Sequence, residues 1–459
     1  MVKRDDEQGQ TASQTSSASA PATTHPPEPG LGKAWVASIV LLFLGSTFIG
    51  MDTALPGVIM PDIQHTFGFG VFTAGLVGSI TFIVDGFSAY FGGGHVADRL
   101  HDRKKVLVPS GIGFAILSWL TAAASSTGIL VLIRAVIGIF DGGWYGNAYP
   151  KATEDPPRRW RSGASGLHMA SYSVGAGLIA PAVAPVIANS VGWRVCFLIL
   201  GIPAMAVAIA GVWLFRPGIT TSNITHHSFF ARSGNETDIG KRPLTDIFRY
   251  KNVTLSFFIQ ACMFATVTLF TVYGTLYLTH TGYTLVAAGG IVAGWGVGGI
   301  VGNLALPVIS DFVGRKWMGA FALFVGAVAA AIFISIHNYA FLFVCTLAVG
   351  FFVQGTSSIF LGLVPQETLP STVRGTGTAF VHAGTVAIGG GVMALIAGVI
   401  GQVFGIRGAM EMGIVFCLIG VVLTFFVTET APRLVARKLR AEALADTTAG
   451  TAEDELRET

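Results

Sequence analysis

The sequence predicts an all-α membrane protein with twelve transmembrane helices in two pseudo-symmetric six-helix bundles. Three observations carry this prediction. Apolar residues make up 52% of the 459 residues and charged residues only 12%, a balance that soluble domains do not show. The apolar residues fall into twelve runs, each close to the ~20 residues that a helix needs to cross a ~30 Å hydrocarbon core. A charged motif between two runs of the first half returns between two runs of the second.

The repeated motif is an acidic residue followed by basic residues. It reads Gly94-x-x-x-Asp98-Arg99-x-x-Asp102-Arg103-Lys104 in the first half and Asp311-x-x-x-Arg315-Lys316 in the second. Asp98 lies 63 positions before Arg161 (161 − 98). Asp311 likewise lies 63 positions before Arg374 (374 − 311). Equal spacing indicates one unit used twice, and such a repeat sets the architecture of the whole chain.

The apolar runs divide the chain into two halves. They span 35–58, 73–93, 106–126, 128–149, 165–187 and 193–215, then 254–277, 287–309, 317–336, 339–363, 376–400 and 409–428. Each must be helical, because lipid offers no partners for free backbone groups. Residues 1–33 have no apolar period and predict a disordered cytoplasmic tail. We therefore expect six-helix bundles at 34–215 and 254–430, a cytoplasmic linker at 216–253 and a second tail at 431–459.

Lys and Arg are distributed unevenly among the connections. Those after even-numbered runs hold Arg99, Arg103, Lys104, Lys105, Lys151, Arg158, Arg159, Arg161, Arg216, Arg232, Lys241, Arg242, Arg249, Lys251, Arg315, Lys316 and Arg374. Those after odd-numbered runs hold only Arg194 and Arg407. Because positively charged loops stay on the cytoplasmic side, the sequence predicts a multi-pass protein of the plasma or inner membrane with both termini in the cytoplasm.

Two matching halves, the long central loop and the charged signature together resemble the major facilitator superfamily over residues 34 to about 430. Three segments are similar to its proton-coupled organic-anion and aromatic-acid symporters: Gly50-Met51-Asp52-Thr53-Ala54, Arg134-x-x-x-Gly138 running to Asn147-Ala148-Tyr149-Pro150, and Pro156-Pro157-Arg158-Arg159-Trp160-Arg161-Ser162-Gly163. The chain departs from the aromatic-acid pattern at Ile49, where that pattern has an Asp, and at His101, where it has a glycine. The resemblance implies alternating access around a substrate held between the halves.

The ionisable residues inside predicted helices are candidates for proton coupling, because a charge at mid-membrane costs at least ~2.5 kcal/mol. Asp52 lies on helix one, Asp85 on helix two, and Arg134 and Asp141 on helix four. A rise of ~1.5 Å per residue puts Asp52 and Arg134 both about 9 Å below the outer surface, so they could pair. Asp85 and Asp141 would lie near the middle. Charge handling would therefore belong to the first half, and the second half would shape the substrate.

Two interpretations of Arg134 remain open. In the functional interpretation, its guanidinium binds a substrate carboxylate or holds Asp52 until substrate displaces it. In the structural interpretation, Arg134 and Asp52 form a static pair that only fixes helix packing.

Further candidate substrate-binding residues are Tyr145, Asn147, His168, Gln260, Tyr273, Tyr277, Asn303, Gln354 and His382. Hydroxyl, amide and aromatic groups suit a site for a small polar organic molecule. The alternative is routine hydrogen bonding between membrane helices. His168 and His382 hold near-equivalent places in the repeat and could titrate or simply pack. With no metal-ligand spacing, we expect no cofactor and protons as the coupling ion.

A cytoplasmic gate is predicted from the charged motif and its partners. Its members are Asp98, Arg99, Arg103, Glu154, Arg161, Asp311, Arg315, Glu367 and Arg374. Carboxylates can stabilise helix N-termini, and arginines can bridge to nearby carboxylates. The resemblance implies that this cluster latches the halves together on the cytoplasmic side when the transporter opens outward. The alternative is that the positive charge serves only to orient the chain.

These observations together predict a proton-coupled symporter that imports a monocarboxylate, sugar acid or aromatic acid. The alternative is a proton-driven exporter of drugs or metabolites; alanines on helix five stand where drug antiporters have glycines, which favours uptake. A sensor built on the same fold is a third possibility. An enzyme is not expected, since phosphate-loop and nucleophile motifs are missing. A net charge of +3 gives no reason to expect nucleic acid, so the expected partners of a monomer are substrate and lipid.

Overall fold

The computed structural model describes residues 34–89, 96, 100, 102–157, 160–215, 249–369, 374–435, 437 and 440. The tail 1–33, most of the linker 216–253, most of the tail 431–459, and the gate residues Asp98 and Arg99 lie outside the described residues. The side chains of Glu154, Arg161 and Arg374 lie outside them too. Every regular element in the described part of the chain is helical.

The first half contains six membrane helices. They are α1, Ala34–Val58; α2, Val71–Ser88; α3, Lys104–Ala122; α4, Thr127–Glu154; α5, built from Arg161–Tyr172, the π-helical segment Ser173–Ile179 and Ala180–Val191; and α6, Trp193–Leu214. A short outer helix, Met60–Phe67, joins α1 to α2 and was not predicted. It ends at Gly68, whose φ of 71° is the left-handed cap that glycine adopts without strain.

The second half repeats the pattern. Its helices are α7, Lys251–His280; α8, Leu285–Val292 and Gly294–Val313; α9, Arg315–Phe333; α10, Tyr339–Ala348 with the irregular turns Val349–Val353, Gln354–Thr356 and Ser358–Leu363 and the end Val364–Thr368; and α11, which begins as Arg374–Gly384 and Thr385–Met393. The helix Ala394–Thr424 completes α11 and forms α12.

A bend at Gly405 separates α11 from α12. Eleven described helical stretches are long and apolar enough to cross a membrane, and the last, Phe380–Thr424, has 45 residues. At ~1.5 Å per residue it measures about 68 Å, more than twice a ~30 Å hydrocarbon core. Gly405 has a φ of 80°, which breaks the helix there. The stretch therefore crosses twice, and the twelve predicted helices are confirmed.

Three of these helices contain irregular turns. The π-helical segments Ser173–Ile179 of α5 and Thr385–Met393 of α11 hold two and three glycines, and α10 is irregular from Val349 to Leu363. Glycine weakens the regular helix, and π-helical turns occur frequently at functional sites. The π-helical segments of α5 and α11 pack against α8 and α2 of the opposite half, which makes the interface between the halves the place to look for a site.

The two halves are closed against each other at the ends that the sequence predicts to face outward. Thr275 of α7 donates its hydroxyl to the Gly57 carbonyl of α1 at 2.8 Å. The Phe72 backbone N–H at the start of α2 donates to Gln402 Oε1 of α11 at 3.3 Å. Gly57 lies so close to α7 that an added Cβ would collide with the Thr271 carbonyl. The outer end of the interface is therefore sealed by backbone contact that only glycine permits.

Candidate functional site

An ion pair lies inside the first half, enclosed by α1, α3 and α4. Arg134 donates from Nη1 to Asp52 Oδ2 at 3.0 Å, and both side chains are at most 2% exposed. Ser118 donates its hydroxyl to the other carboxylate oxygen of Asp52. Arg134 Nη2 donates to the backbone carbonyl oxygens of Asp52 and Thr53 at 3.5 and 3.3 Å. The pairing predicted from helix depth is confirmed, and each buried charge compensates the other.

Asp141 and Asp85 form a second acidic group, nearer the cytoplasm. Asp141 follows Arg134 by two helical turns, about 10 Å along α4. Its Oδ2 accepts a hydrogen bond from Thr53 Oγ1 at 3.1 Å, and its buried Oδ1 has no partner among the described residues. Asp85 is buried, interacts electrostatically with Asp141, and also has an unpartnered Oδ1 in that part of the chain. Each carboxyl group thus has an oxygen free to hold a proton.

Tyr145 of α4 and Tyr172 of α5 stand beside this acidic group. Both interact electrostatically with Asp141. Both also pack against Gly50 of α1, where an added Cβ would lie 3.1 Å from Tyr172 Cδ2 and 3.3 Å from the Tyr145 hydroxyl. The small residue at position 50 therefore lets two aromatic side chains reach the acidic group.

Tyr172 also faces the second half. Its ring lies 5.9 Å from that of Phe264 on α7 and 6.5 Å from that of Trp295 on α8, measured between centroids. Trp295 is 1% exposed, and its indole Nε1 has no hydrogen-bond partner among the residues that the structure describes. The aromatic ring of Tyr172 thus connects the acidic group of one half to an unpaired donor of the other.

Polar side chains of α5, α8 and α10 meet one to two turns beyond Trp295 along α8. Asn303 Nδ2 of α8 lies 3.4 Å from Ser173 Oγ of α5, and Ser358 of α10 donates to Asn303 Oδ1 at 3.0 Å. Gln354 of α10 is 5% exposed and its Oε1 is unpartnered within the described ranges. Two predicted substrate-binding residues, Asn303 and Gln354, are therefore brought together at the interface.

The remaining predicted residues of the first half lie towards the predicted cytoplasmic side. Asn147 Nδ2 donates to the Gly143 carbonyl at 2.9 Å. His168 lies 3.4 Å from Ser46 Oγ and between the rings of Tyr145 and Tyr149, at centroid distances of 6.3 and 6.2 Å. His382 of α11 is half-buried and interacts electrostatically with His168 of α5.

The three predicted residues of α7 do not join the acidic group. Gln260 Nε2 donates to the Ser357 carbonyl at 3.2 Å. The hydroxyls of Tyr273 and Tyr277 donate to the backbone carbonyls of Ala394 and Ile334, each at 3.1 Å. Both tyrosines lie in the outer part of the helix, where they pair neighbouring backbone instead of facing Asp141. Their hydroxyl groups are used in helix packing.

Sequence reasoning missed Ser118, Trp295 and Ser173. Ser118 lies in an apolar run, and its spacing from neighbouring residues does not indicate a functional role. Trp295 does have a signal, since Trp295, Gly299 and Asn303 are spaced by four residues and therefore share one face of α8. That face packs against α5, because a Cβ added at Gly299 would lie 2.9 Å from Ser173 Oγ.

The predicted gate forms a network inside the second half. Arg315 Nη2 lies 2.8 Å from Glu367 Oε1 and 2.6 Å from Asp311 Oδ1. Its backbone N–H donates to Glu429 Oε1 at 2.8 Å, so a carboxylate caps the start of α9. In the first half, Arg103 Nη1 lies 3.4 Å from Asn147 Oδ1. These bonds join helices of the same half.

The halves also meet at the predicted cytoplasmic end of the interface, where Met169 of α5 packs against the cluster that contains Val253 and Phe257 of α7. Gln366 Nε2 of α10 lies 3.5 Å from the Tyr149 hydroxyl of α4. The gate residues themselves do not make this contact. Their role as a latch between the halves therefore stays a prediction.

Comparisons with known proteins agree with this architecture. A model of the Major Facilitator Superfamily matches residues 42–385 and 295–452. The solved structure of a bacterial homolog to the human lysosomal transporter Spinster, in an inward-facing and unoccupied conformation, superposes with a TM-score of 0.69 at 17% identity. That match covers 86% of this chain and 97% of the other.

Curated relatives are membrane transporters. The sialic acid transporter NanX of Escherichia coli is 25% identical over 74% of this chain and 81% of its own length. The benzoate transport protein of Acinetobacter baylyi is 24% identical over 74% of this chain and 78% of its own length. The multidrug resistance protein MdtG of Enterobacter lignolyticus is 30% identical over 36% of this chain and 39% of its own length. The relatives that match most of the chain are thus named for transport of organic acids.

Proposed function

The chain belongs to the major facilitator superfamily and is a membrane transporter, and from this premise we propose that it imports a small organic anion together with protons. The anion is a monocarboxylate, a sugar acid or an aromatic acid. The observation that carries the proposal is the Asp52–Arg134 pair with Asp141 two turns away, a set of buried charges in an otherwise apolar bundle. Such charges are costly in a membrane, and they mark ion and proton pathways in transporters.

The geometry supports a division of labour between the two acidic groups. Both carboxylate oxygens of Asp52 have a donor, from Arg134 and from Ser118, and only Nε of the Arg134 guanidinium has no partner among the described residues. Asp141 and Asp85 each keep an unpartnered oxygen. We therefore assign proton binding first to Asp141 and Asp85. In this scheme, Asp52 releases Arg134 when Asp52 is protonated, and the freed guanidinium attracts the carboxylate of the substrate.

Thr53 couples the two acidic groups. Its hydroxyl donates to Asp141 at 3.1 Å, while its backbone carbonyl accepts from Arg134 at 3.3 Å. A change at either group therefore acts on the same residue of α1. As in other transporters built from repeats, the substrate would bind near mid-membrane and the halves would rock around it.

Import follows from orientation and coupling. The excess of Lys and Arg after even-numbered helices places both termini in the cytoplasm of the plasma or inner membrane. A symporter in that membrane uses the inward proton gradient to accumulate its substrate. The alternative, a proton-driven exporter of drugs or metabolites, is favoured by the partial similarity to the multidrug resistance protein. Direction of flux under an imposed gradient separates the two.

The test is uptake of radiolabelled carboxylates into proteoliposomes that contain the full chain and an inward proton gradient. We expect Asp52→Asn and Arg134→Ala to reduce uptake to background. Asp62→Asn, on the short outer helix outside the membrane spans, is the matched control and should retain it. Unchanged uptake in both site variants would remove the site assignment. Expulsion of substrate by the inward gradient would replace the importer with the exporter.

A further inference from the structure

The junction of α5, α8 and α10 contains two buried polar atoms that the protein itself does not satisfy. They are Trp295 Nε1, a hydrogen-bond donor, and Gln354 Oε1, and neither has a partner among the described residues. Leaving such a group unpaired in a folded protein costs roughly 1–3 kcal/mol each. Unsatisfied buried groups in a native structure therefore call for an explanation, and a bound ligand is one.

The helices that carry these atoms meet at close range. Gly299 lies one turn after Trp295 on the same face of α8, and a Cβ there would lie 3.1 Å from Gln354 Cγ. Opposite this face, α5 is π-helical from Ser173, and Gln354 itself begins an irregular turn of α10. A glycine on one helix and irregular turns on two others thus converge on the same side chains.

The junction is continuous with the acidic group of the first half. Tyr172 precedes Ser173 on α5, packs on Trp295 at a centroid distance of 6.5 Å, and interacts electrostatically with both Asp141 and Asp85. A small molecule between the halves can therefore present its carboxylate to the first half and its other end to Trp295 and Gln354.

We propose that Trp295 and Gln354, with Ser173 and Asn303 beside them, form the subsite for the non-carboxylate end of the substrate, and that this end carries hydroxyl or amide groups. The proposal rests on the proposed import of an organic anion and narrows its substrate to a hydroxylated acid of the sugar-acid class. An indole N–H requires an acceptor and an amide oxygen requires a donor. A hydroxyl group supplies both, whereas the ring of an unsubstituted aromatic acid supplies neither.

The experiment compares two labelled acids, gluconate and benzoate, in proteoliposomes that contain the full chain and an inward proton gradient. Wild-type protein should take up gluconate in preference to benzoate. Gln354→Met keeps the size of the side chain while removing its polar atoms, and Trp295→Phe removes the indole N–H with a smaller aromatic ring. Each should weaken apparent affinity for gluconate at least about tenfold. Residual benzoate uptake should not change in either variant. Thr268→Val is the matched control, because Thr268 also has an unpartnered buried oxygen but lies on α7.

Three outcomes overturn the proposal. Uptake of benzoate in preference to gluconate overturns the substrate class while leaving organic-anion import in place. An unchanged ratio of gluconate to benzoate affinity in both variants overturns the subsite. Absence of proton-driven uptake for every carboxylate tested overturns both the proposed function and the subsite that rests on it. Gly299→Ala provides an independent check, since its methyl group would crowd Gln354 and should lower gluconate affinity in a chain that still melts like wild type.

Discussion

The two halves of this transporter share one architecture but differ in what they bury. The repeat offset of 213 positions, which relates Asp98 to Asp311 and Arg161 to Arg374, relates Asp141 to Gln354 (354 − 141). It likewise relates Arg134 to Leu347 (347 − 134). The first half therefore has a guanidinium and a carboxyl group where the second has an isobutyl group and an amide.

This difference teaches how one fold separates two tasks. A carboxyl group can gain and lose a proton, whereas an amide can only exchange hydrogen-bond partners. At these equivalent positions only the first half holds charge, so a proton alters contacts there without placing an uncompensated charge at the matching place in the other half. The amide of Gln354 can then recognise the substrate by hydrogen bonds whose strength does not vary with pH.

The largest effect should come from swapping the residue types of Asp141 and Gln354, which are equivalent in the repeat. Asp141→Gln should abolish pH-driven accumulation while leaving exchange of labelled for unlabelled substrate, because exchange needs no net proton movement. The double variant Asp141→Gln with Gln354→Asp should not recover accumulation. Leu347 stands at the place of Arg134, and Thr266, at the place of Thr53, donates to the Cys262 and Gly413 carbonyls instead. Accumulation and exchange in the same proteoliposomes are the measurement. Recovery in the double variant would show that the halves are interchangeable and would break the comparison.

The next effect concerns stability. Arg134→Ala leaves the buried carboxylate of Asp52 without its charge partner, which should lower the free energy of unfolding by about 3–5 kcal/mol. Removing both charges, with Asp52→Asn and Arg134→Gln together, should recover most of that loss, since no uncompensated charge remains. Thermal melts of the purified protein in detergent measure both. Strictly additive losses would show that the two residues do not interact, against the geometry of the pair.

The fold and the ion pair could be predicted from sequence because each leaves a linear signal. Apolar runs of membrane length predict helices, and equal depth below the outer surface predicts that Asp52 and Arg134 meet. The contacts of Trp295 and Gln354 could not be predicted in this way. In a helix that is apolar all round, periodicity does not tell which face meets another helix, and the irregular turns of α10 shift the faces again.

A smaller effect is expected where the halves meet at the outer end. Gly57→Val would push its side chain against the Thr271 carbonyl and destabilise the outward-closed state by about 1–3 kcal/mol. The population should shift towards the outward-open state by roughly 5- to 150-fold. Labelling of Thr275→Cys by an external thiol reagent, in a chain whose four cysteines are replaced, measures the shift. Gly128→Val, where an added Cβ meets open space, is the control.

If the Gly57 variant were labelled no faster than the control, the outer contact would not be the one that opens. The two halves would then differ in chemistry but would have to separate elsewhere along their interface.

The smallest effect tests the one described ion pair at the outer end of the second half. Arg407 Nε donates to Glu411 Oε1 at 3.1 Å, but the side chains are 63% and 49% exposed. Water and salt screen such a pair, so Arg407→Gln should change the free energy of unfolding by no more than about 1 kcal/mol and leave uptake unchanged. Thermal melts and gluconate uptake, measured side by side with the Arg134 variants, test this contrast between the exposed and the buried ion pair. A loss of transport in Arg407→Gln would mean that charge in the second half takes part in the transport cycle. The burial of Arg134 could then not by itself explain why transport depends on that arginine.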